Sequence, residues 1–181
     1  MSLDKDVERV LVSEAEIKEI CARLGEEISR DYKGKKLLLL SVLKGAVVFM
    51  ADLMRNITCD CEIDFMAVSS YSGTKTTGVV KFKKDLDIDP DGCDILLVED
   101  ILDSGITLAY LKNVLLDRNA ASIKVCAFLD KPANRQADIK ADYVGKIIPD
   151  EFVIGYGLDY NEKYRNLPYV GILHPSVYGG E

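Results

Sequence analysis

Ile95-Leu96-Leu97-Val98-Glu99-Asp100-Ile101-Leu102-Asp103-Ser104-Gly105-Ile106-Thr107-Leu108 decides how the rest of the chain is read. Its first four residues are apolar and partly β-branched, the pattern of a strand buried on both faces of a sheet. Two adjacent carboxylates, Glu99 and Asp100, follow where that strand should reach the sheet's edge. They serve no core there, and they suit a vicinal diol or a hydrated metal ion. A small, hydroxyl-rich turn comes next, from Asp103 to Thr107. Behind it Leu108, Leu111, Leu115 and Leu116 recur at helical spacing. In an open parallel sheet, ligands bind outside the carboxyl ends of the strands. A helix N-terminus placed there offers free N–H groups and a positive dipole end to a phosphate. Gly105 lets the backbone come close to such a ligand, and the Ser104 and Thr107 hydroxyls can donate as well. Asp, Ser, Thr and Gly are also ordinary cap and turn residues. The acid pair ahead of them tips the reading toward a ligand site.

Upstream, Ser13-Glu14-Ala15-Glu16 matches a capping box and opens an amphipathic helix that runs to about Tyr32. A short strand is expected before it, over residues 10–12, and a buried strand after it, over 37–42. Lys44 and Gly45 follow that buried strand, where a charged side chain and exposed backbone N–H groups can grip a phosphate. A turn with a solvated lysine explains the same pair. The helix over residues 47–54 is expected to turn Val47, Met50, Leu53 and Met54 to the core. A strand over 63–70 leads into Ser70-Tyr71-Ser72-Gly73-Thr74-Lys75-Thr76-Thr77-Gly78, a loop with no apolar anchor. Val80, Phe82, Lys84, Leu86 and Ile88 alternate as in an antiparallel ribbon with one exposed face. Asp89-Pro90-Asp91-Gly92 is a turn into the central strand.

Downstream, a strand over 123–129 ends at Asp130-Lys131-Pro132, so Lys131 again falls at a strand's end, as a surface residue or as a donor to a carbonyl. Short strands are expected over 143–148 and 152–154. Residues 170–173 close either the sheet or an added subdomain. His174, the sole histidine, reads as a solvated loop residue.

The chain has 181 residues, 48% of them hydrophobic and 29% charged, which fits one soluble domain with a substantial core. Its net charge of −7 argues against nucleic acid or an anionic membrane as a partner, but leaves room for a small anion held by local cations. No apolar run is long enough to span a bilayer, and the acidic start is unlike a secretory signal. The five cysteines include one C-x-C pair, Cys59 and Cys61, without a companion motif. Reduced thiols in a cytoplasmic protein are therefore expected.

The succession of V-L-K-G, S-S-Y-S-G, L-V-E-D-I-L-D-S-G-I-T-L, L-D-K-P, P-D-E-F-V-I-G-Y-G-L-D-Y-N-E-K-Y-R-N-L-P-Y-V-G and L-H-P resembles the hypoxanthine-guanine branch of the purine phosphoribosyltransferases over nearly the whole chain. The resemblance implies an α/β fold of the type I phosphoribosyltransferase kind, with a central, mostly parallel sheet flanked by helices. It also implies one domain, with a small hood formed by about residues 1–12 and 150–181. The implied reaction moves ribose 5-phosphate from phosphoribosyl pyrophosphate to a 6-oxopurine with Mg2+, giving IMP or GMP and pyrophosphate.

By the same resemblance, Asp103 is the general acid/base at purine N7. Glu99 and Asp100 hold the ribose hydroxyls and a hydrated metal. Asp103, Ser104, Gly105, Ile106 and Thr107 cradle the 5-phosphate. Lys44, Gly45 and Arg165 contact pyrophosphate, and an unusual Leu43–Lys44 peptide is a further implication that sequence leaves open. Lys131, Phe152, Val153 and Asp159 meet the purine, Asp159 also binds a second magnesium, and Ser70 and Tyr71 form a lid. Family members commonly form dimers or tetramers. Two alternatives remain: a nucleotide-sensing regulator on the same fold, and an enzyme that prefers xanthine.

Overall fold

The computed structural model describes residues 3–70 and 80–178. In chain order its elements are β1 (Val7–Val12), α1 (Glu14–Asp31), β2 (Leu37–Leu43), α2 (Val47–Met54), β3 (Cys61–Ser70), β4 (Val80–Lys84) and β5 (Asp94–Leu102). Then follow α3 (Ile106–Asp117), β6 (Ser122–Asp130), β7 (Tyr143–Ile147), β8 (Val153–Ile154), β9 (Val170–Leu173) and the short α4 (Pro175–Tyr178).

Six strands form the main sheet in the order β4-β3-β2-β5-β6-β7, parallel throughout except where β4 turns back along β3. The chain leaves β2 toward β3, then returns to lay β5 against the other side of β2. That reversal opens a crevice at the carboxyl ends of β2 and β5, the place where open α/β sheets bind ligands.

Burial explains why these segments are strands. Leu37 and Leu39 of β2, with Leu96 and Val98 of β5, join one core with α1 and α2. Leu38 and Leu40, with Ile95 and Leu97, join a second core with α3 on the opposite face. Alternate residues of one strand thus feed two cores, which only a sheet covered on both sides can use.

At the start of α1, the Ser13 hydroxyl accepts from the Glu16 N–H at 3.3 Å, and the Glu16 carboxylate accepts from the Ser13 N–H at 2.8 Å. The expected capping box is therefore formed, worth about 1 kcal/mol. These bonds, with Lys146, hold the Glu16 carboxyl down at about 2.

Two helix faces depart from expectation. In α2 the buried residues are Phe49, Met50 and Leu53, while Val47 and Met54 are exposed. Phe49, Met50 and Leu53 share one stripe, and Val47 and Met54 lie roughly a quarter turn or more around from it. In α3, Leu108, Leu111 and Leu115 are buried and Leu116 is exposed. One further residue rotates the side chain by about 100°, off the core face.

A second sheet of three antiparallel strands has the order β1-β9-β8. Residues 170–173 therefore leave the main sheet and pair with the chain's first strand from Val7↔Leu173 to Val12↔Val170, with register shifts between Val7 and Arg9 and between Val10 and Val12. Ile154, Tyr164, Leu167 and Leu173 make a small core of their own beneath it.

Candidate active site

The central strand β5 delivers its two acids to different neighbours, as the alternation of a strand requires. Glu99 lines a cavity of about 220 Å³ together with Val42, Asp103, Ser104, Gly105 and Thr107. Asp100 faces the loop after β2. A methyl group placed on Gly45 would come within 1.8 Å of the Asp100 carboxylate, so only glycine admits that approach. Burial, with the charge of Asp100 beside it, pushes the Glu99 carboxyl well above its usual range. Burial also raises Asp100 to about 6, against the opposing pull of the Ile101 N–H and of Arg165. Two hard oxygen donors are thus held in a place that penalises their charge. A cation or a set of hydroxyl donors would relieve that penalty.

The turn after β5 is shaped by backbone. Gly105 is the N-cap of α3 with φ +77°, and no side chain caps the helix. The hydroxyl of Ser104 reaches only as far as the Ile106 N–H, at 3.5 Å. Here Asp, Ser and Thr do not serve as caps, and the helix start faces the cavity. From behind, the turn is braced by the segment after β6. The Ser104 carbonyl accepts from the Gln136 and Ala137 N–H groups, and the Arg135 guanidinium donates to the Leu102 carbonyl and to Asp130. Asp103 has a buried carboxylate oxygen without a hydrogen-bond partner among the described residues. An orphaned acceptor of that kind is expensive, and it marks a place made for a proton or a ligand donor. Ile106 is exposed.

Lys131 stands next door, because Leu102 of β5 and Asp130 of β6 are paired in register and the Lys131 N–H donates to the Leu102 carbonyl. Its ammonium is nearly buried, 2.7 Å from Asp150 and 3.2 Å from the Glu151 carbonyl. Asp150 was not anticipated. Its signal was the acid pair Asp150-Glu151 opposite a strand-end lysine. Phe152 follows, half-exposed, with Tyr160 edge-on at 5.6 Å and Tyr178 stacked at 5.2 Å between ring centroids. Val153 is buried in β8 against Ile172.

The remaining side of the crevice is a loop rich in left-handed backbone. Gly155, Tyr156, Gly157, Asn161, Glu162 and Tyr164 all have positive φ. Gly157 sits against Gly45, where an added methyl would come within 2.1 Å of the Gly45 carbonyl. Arg165 donates to the Gly157 carbonyl at 2.7 Å and pairs with Asp159 at 2.8 Å and Glu162 at 3.3 Å. Lys44, whose peptide bond with Leu43 is cis, pairs with Glu162 at 3.0 Å. Glu162 was also missed in sequence. Asp159, Glu162 and Arg165 at three-residue spacing were the available sign.

The crevice therefore gathers Lys44, Gly45, Glu99, Asp100, Asp103, Thr107, Lys131, Asp159 and Arg165. It does not converge Glu99, Asp100 and Asp159 on one point: among the described residues no three acids, histidines or cysteines form a group that could hold a metal alone. Ser70 ends β3, and Tyr71 with the rest of the expected lid lies outside the described residues. No helix among the described residues is long and apolar enough to cross a membrane.

Comparison with known proteins agrees with this layout. The family model described as a phosphoribosyl transferase domain matches residues 11–161. The hypoxanthine-guanine phosphoribosyltransferase of Bacillus subtilis is 54% identical over 96% of this chain and 97% of its own length. The bifunctional protein TilS/HprT of Listeria monocytogenes is 51% identical over 98% of this chain, which spans only 28% of that longer protein. A crystal structure of a hypoxanthine phosphoribosyltransferase from Staphylococcus aureus superposes with a TM-score of 0.96 at 49% identity, covering 98% of this chain and 97% of that one.

Proposed function

Because the chain belongs to the phosphoribosyltransferase family, in its hypoxanthine-guanine branch, we propose that it is a purine salvage enzyme. It transfers the 5-phosphoribosyl group from phosphoribosyl pyrophosphate to N9 of hypoxanthine or guanine, giving IMP or GMP and pyrophosphate. The observation that carries the reading is the Asp103 carboxylate on the wall of the cavity of about 220 Å³, one oxygen of which is buried without a hydrogen-bond partner among the described residues.

Departure of pyrophosphate leaves positive charge on C1 of the ribose, and each part of the crevice answers one demand of that step. The turn from Asp103 to Thr107 holds the 5-phosphate with backbone N–H groups, the Thr107 hydroxyl and the end of the α3 dipole. Glu99 and Asp100 accept from the ribose hydroxyls. Asp103 takes the N7 proton of the purine as N9 attacks C1. The Lys131 ammonium donates to O6, which a 6-aminopurine such as adenine lacks. Phe152 offers its ring to the base, with the Val153 backbone and the neighbourhood of Asp159 at the base's far edge. Lys44, Gly45 and Arg165 receive the leaving pyrophosphate. Ser70 and Tyr71 shut water out of the crevice.

Magnesium suits the acids present: Glu99, Asp100 and Asp159 are hard donors too few and too spread to cage it. An ion that keeps waters and uses phosphate oxygens needs no cage. When bound it neutralises charge on the departing pyrophosphate. The small sheet of β1, β9 and β8 serves as the hood. The protein works in the cytoplasm as a homodimer or homotetramer, with exposed Val47 and Met54 of α2 as contact candidates. A monomeric mass at micromolar concentration in sedimentation would remove that last statement.

The deciding experiment offers hypoxanthine, guanine, xanthine or adenine separately with phosphoribosyl pyrophosphate and magnesium. Turnover of hypoxanthine or guanine, absent with adenine and abolished by chelation, is the expected result. Faster turnover of xanthine would reassign the base, and nucleotide binding without turnover of any base would make the protein a regulator.

A further inference from the structure

One carboxylate oxygen of Glu162 spans two cations that belong to different parts of the chain. It lies 3.0 Å from the Lys44 ammonium, on the loop after β2, and 3.3 Å from the Arg165 guanidinium. The backbone of Glu162 is fixed independently of its side chain, with its N–H donating to Asp159 at 2.9 Å. Arg165 keeps two other partners, the Gly157 carbonyl and Asp159, whereas Lys44 has Glu162 as its only ion-pair partner among the described residues. Both members of the Lys44–Glu162 pair are about two-thirds exposed, with side-chain accessibilities of 67% and 64%. Exposed pairs of this kind contribute little net free energy and exchange readily. A diphosphate oxygen makes stronger charge-assisted bonds to the same two cations than a single carboxylate does.

We propose that Glu162 is an internal placeholder for pyrophosphate, occupying the Lys44–Arg165 cation pair in the free protein and reclaiming it as the product leaves. This rests on the reading above that Lys44 and Arg165 receive pyrophosphate. Because Glu162 is exposed and its backbone bond survives substitution, a neutral variant tests the competition without disturbing the fold.

The test is calorimetric binding of magnesium pyrophosphate to the wild-type protein and to Glu162→Gln, with steady-state kinetics on both. Removing the competitor is expected to tighten pyrophosphate about two- to fivefold and to lower KM for phosphoribosyl pyrophosphate in parallel. KM for the purine should not move. The advantage of Glu162→Gln should shrink in high salt, where an exposed pair is already screened. Unchanged or weaker pyrophosphate binding by Glu162→Gln, in a wild-type protein that binds and turns over, overturns the placeholder alone. A wild-type protein that neither binds pyrophosphate nor turns over overturns the functional reading with it.

Discussion

The crevice has two walls built by different means. The wall formed by β5, its turn and α3 is backbone architecture: a strand without exposure from Ile95 to Val98, a left-handed Gly105, and a helix start left uncapped. The facing wall, from Asp150 to Arg165, is a loop pinned by ion pairs and by glycines at Gly155 and Gly157. The first wall presents groups whose positions follow from the sheet. The second presents charges that are already paired with one another, so its ligand must exchange partners rather than fill a gap. A reaction that holds one phosphate throughout and releases another group has use for both kinds of wall.

The sharpest way to test this contrast is to add one methyl group to each wall. In Gly157→Ala the new carbon meets the Gly45 carbonyl at 2.1 Å, backbone against backbone, at φ +98°. We expect loss of activity and a destabilisation of about 3 kcal/mol or more in chemical denaturation. In Gly105→Ala the collision is with an Ile139 methyl at 2.5 Å, which a side chain can relieve in part. The expected cost is about 1–2 kcal/mol. If Gly105→Ala proves the costlier, the two walls have been ranked the wrong way round.

Asp103→Asn comes next and tests whether the first wall holds chemistry as well as phosphate. Turnover should fall about 10²- to 10⁴-fold. Binding of phosphoribosyl pyrophosphate, measured by calorimetry, should stay within a few-fold. Equal loss of both would make Asp103 a brace of the turn.

The smallest effect concerns Asp100, where the walls meet. Its carboxyl is raised to about 6, above its unfolded value, so the stability it permits is full in acid and is lost as pH rises through 6. Glu99 has the same sign. Carboxyls lowered by partners, such as Glu16 at about 2, act in the opposite direction but only in stronger acid. Between pH 4 and 7, therefore, Asp100→Asn should raise the melting temperature of the free protein increasingly relative to wild type, with the gain levelling off above pH 7. The gain on that plateau is on the order of 3 kcal/mol. A constant offset across that window would show that the ionised carboxylate is not the source.

The first wall was legible in sequence because periodicity and burial fix it locally. An all-apolar strand, a pair of acids, a turn and a leucine repeat leave few other arrangements. The capping box at Ser13 and the strand that begins the ribbon, β4 over Val80–Lys84, were legible for the same reason, whereas Leu86 and Ile88 lie beyond that strand. Elsewhere the deciding information is not local. That Phe49 rather than Val47 faces the core depends on how an eight-residue helix is rolled against its neighbours. That Lys131 is held by Asp150 depends on two strand ends meeting. The exchangeable pairing of Lys44 with Glu162 joins residues 118 apart in the chain, and no window of sequence contains both.

The small sheet has a consequence for how the protein comes into being. Val7 pairs with Leu173, and the Tyr164 hydroxyl donates to Asp6 across 158 residues. During synthesis the ribosome delivers β2, β5 and β6 long before β9 exists, and domains fold from the N-terminal side as they emerge. Residues 7–12 therefore wait for their partner strand until residues 170–173 have been made. A nascent chain can own β5, its turn and α3 and still lack the small sheet, which is complete only once β9 has paired with both β1 and β8.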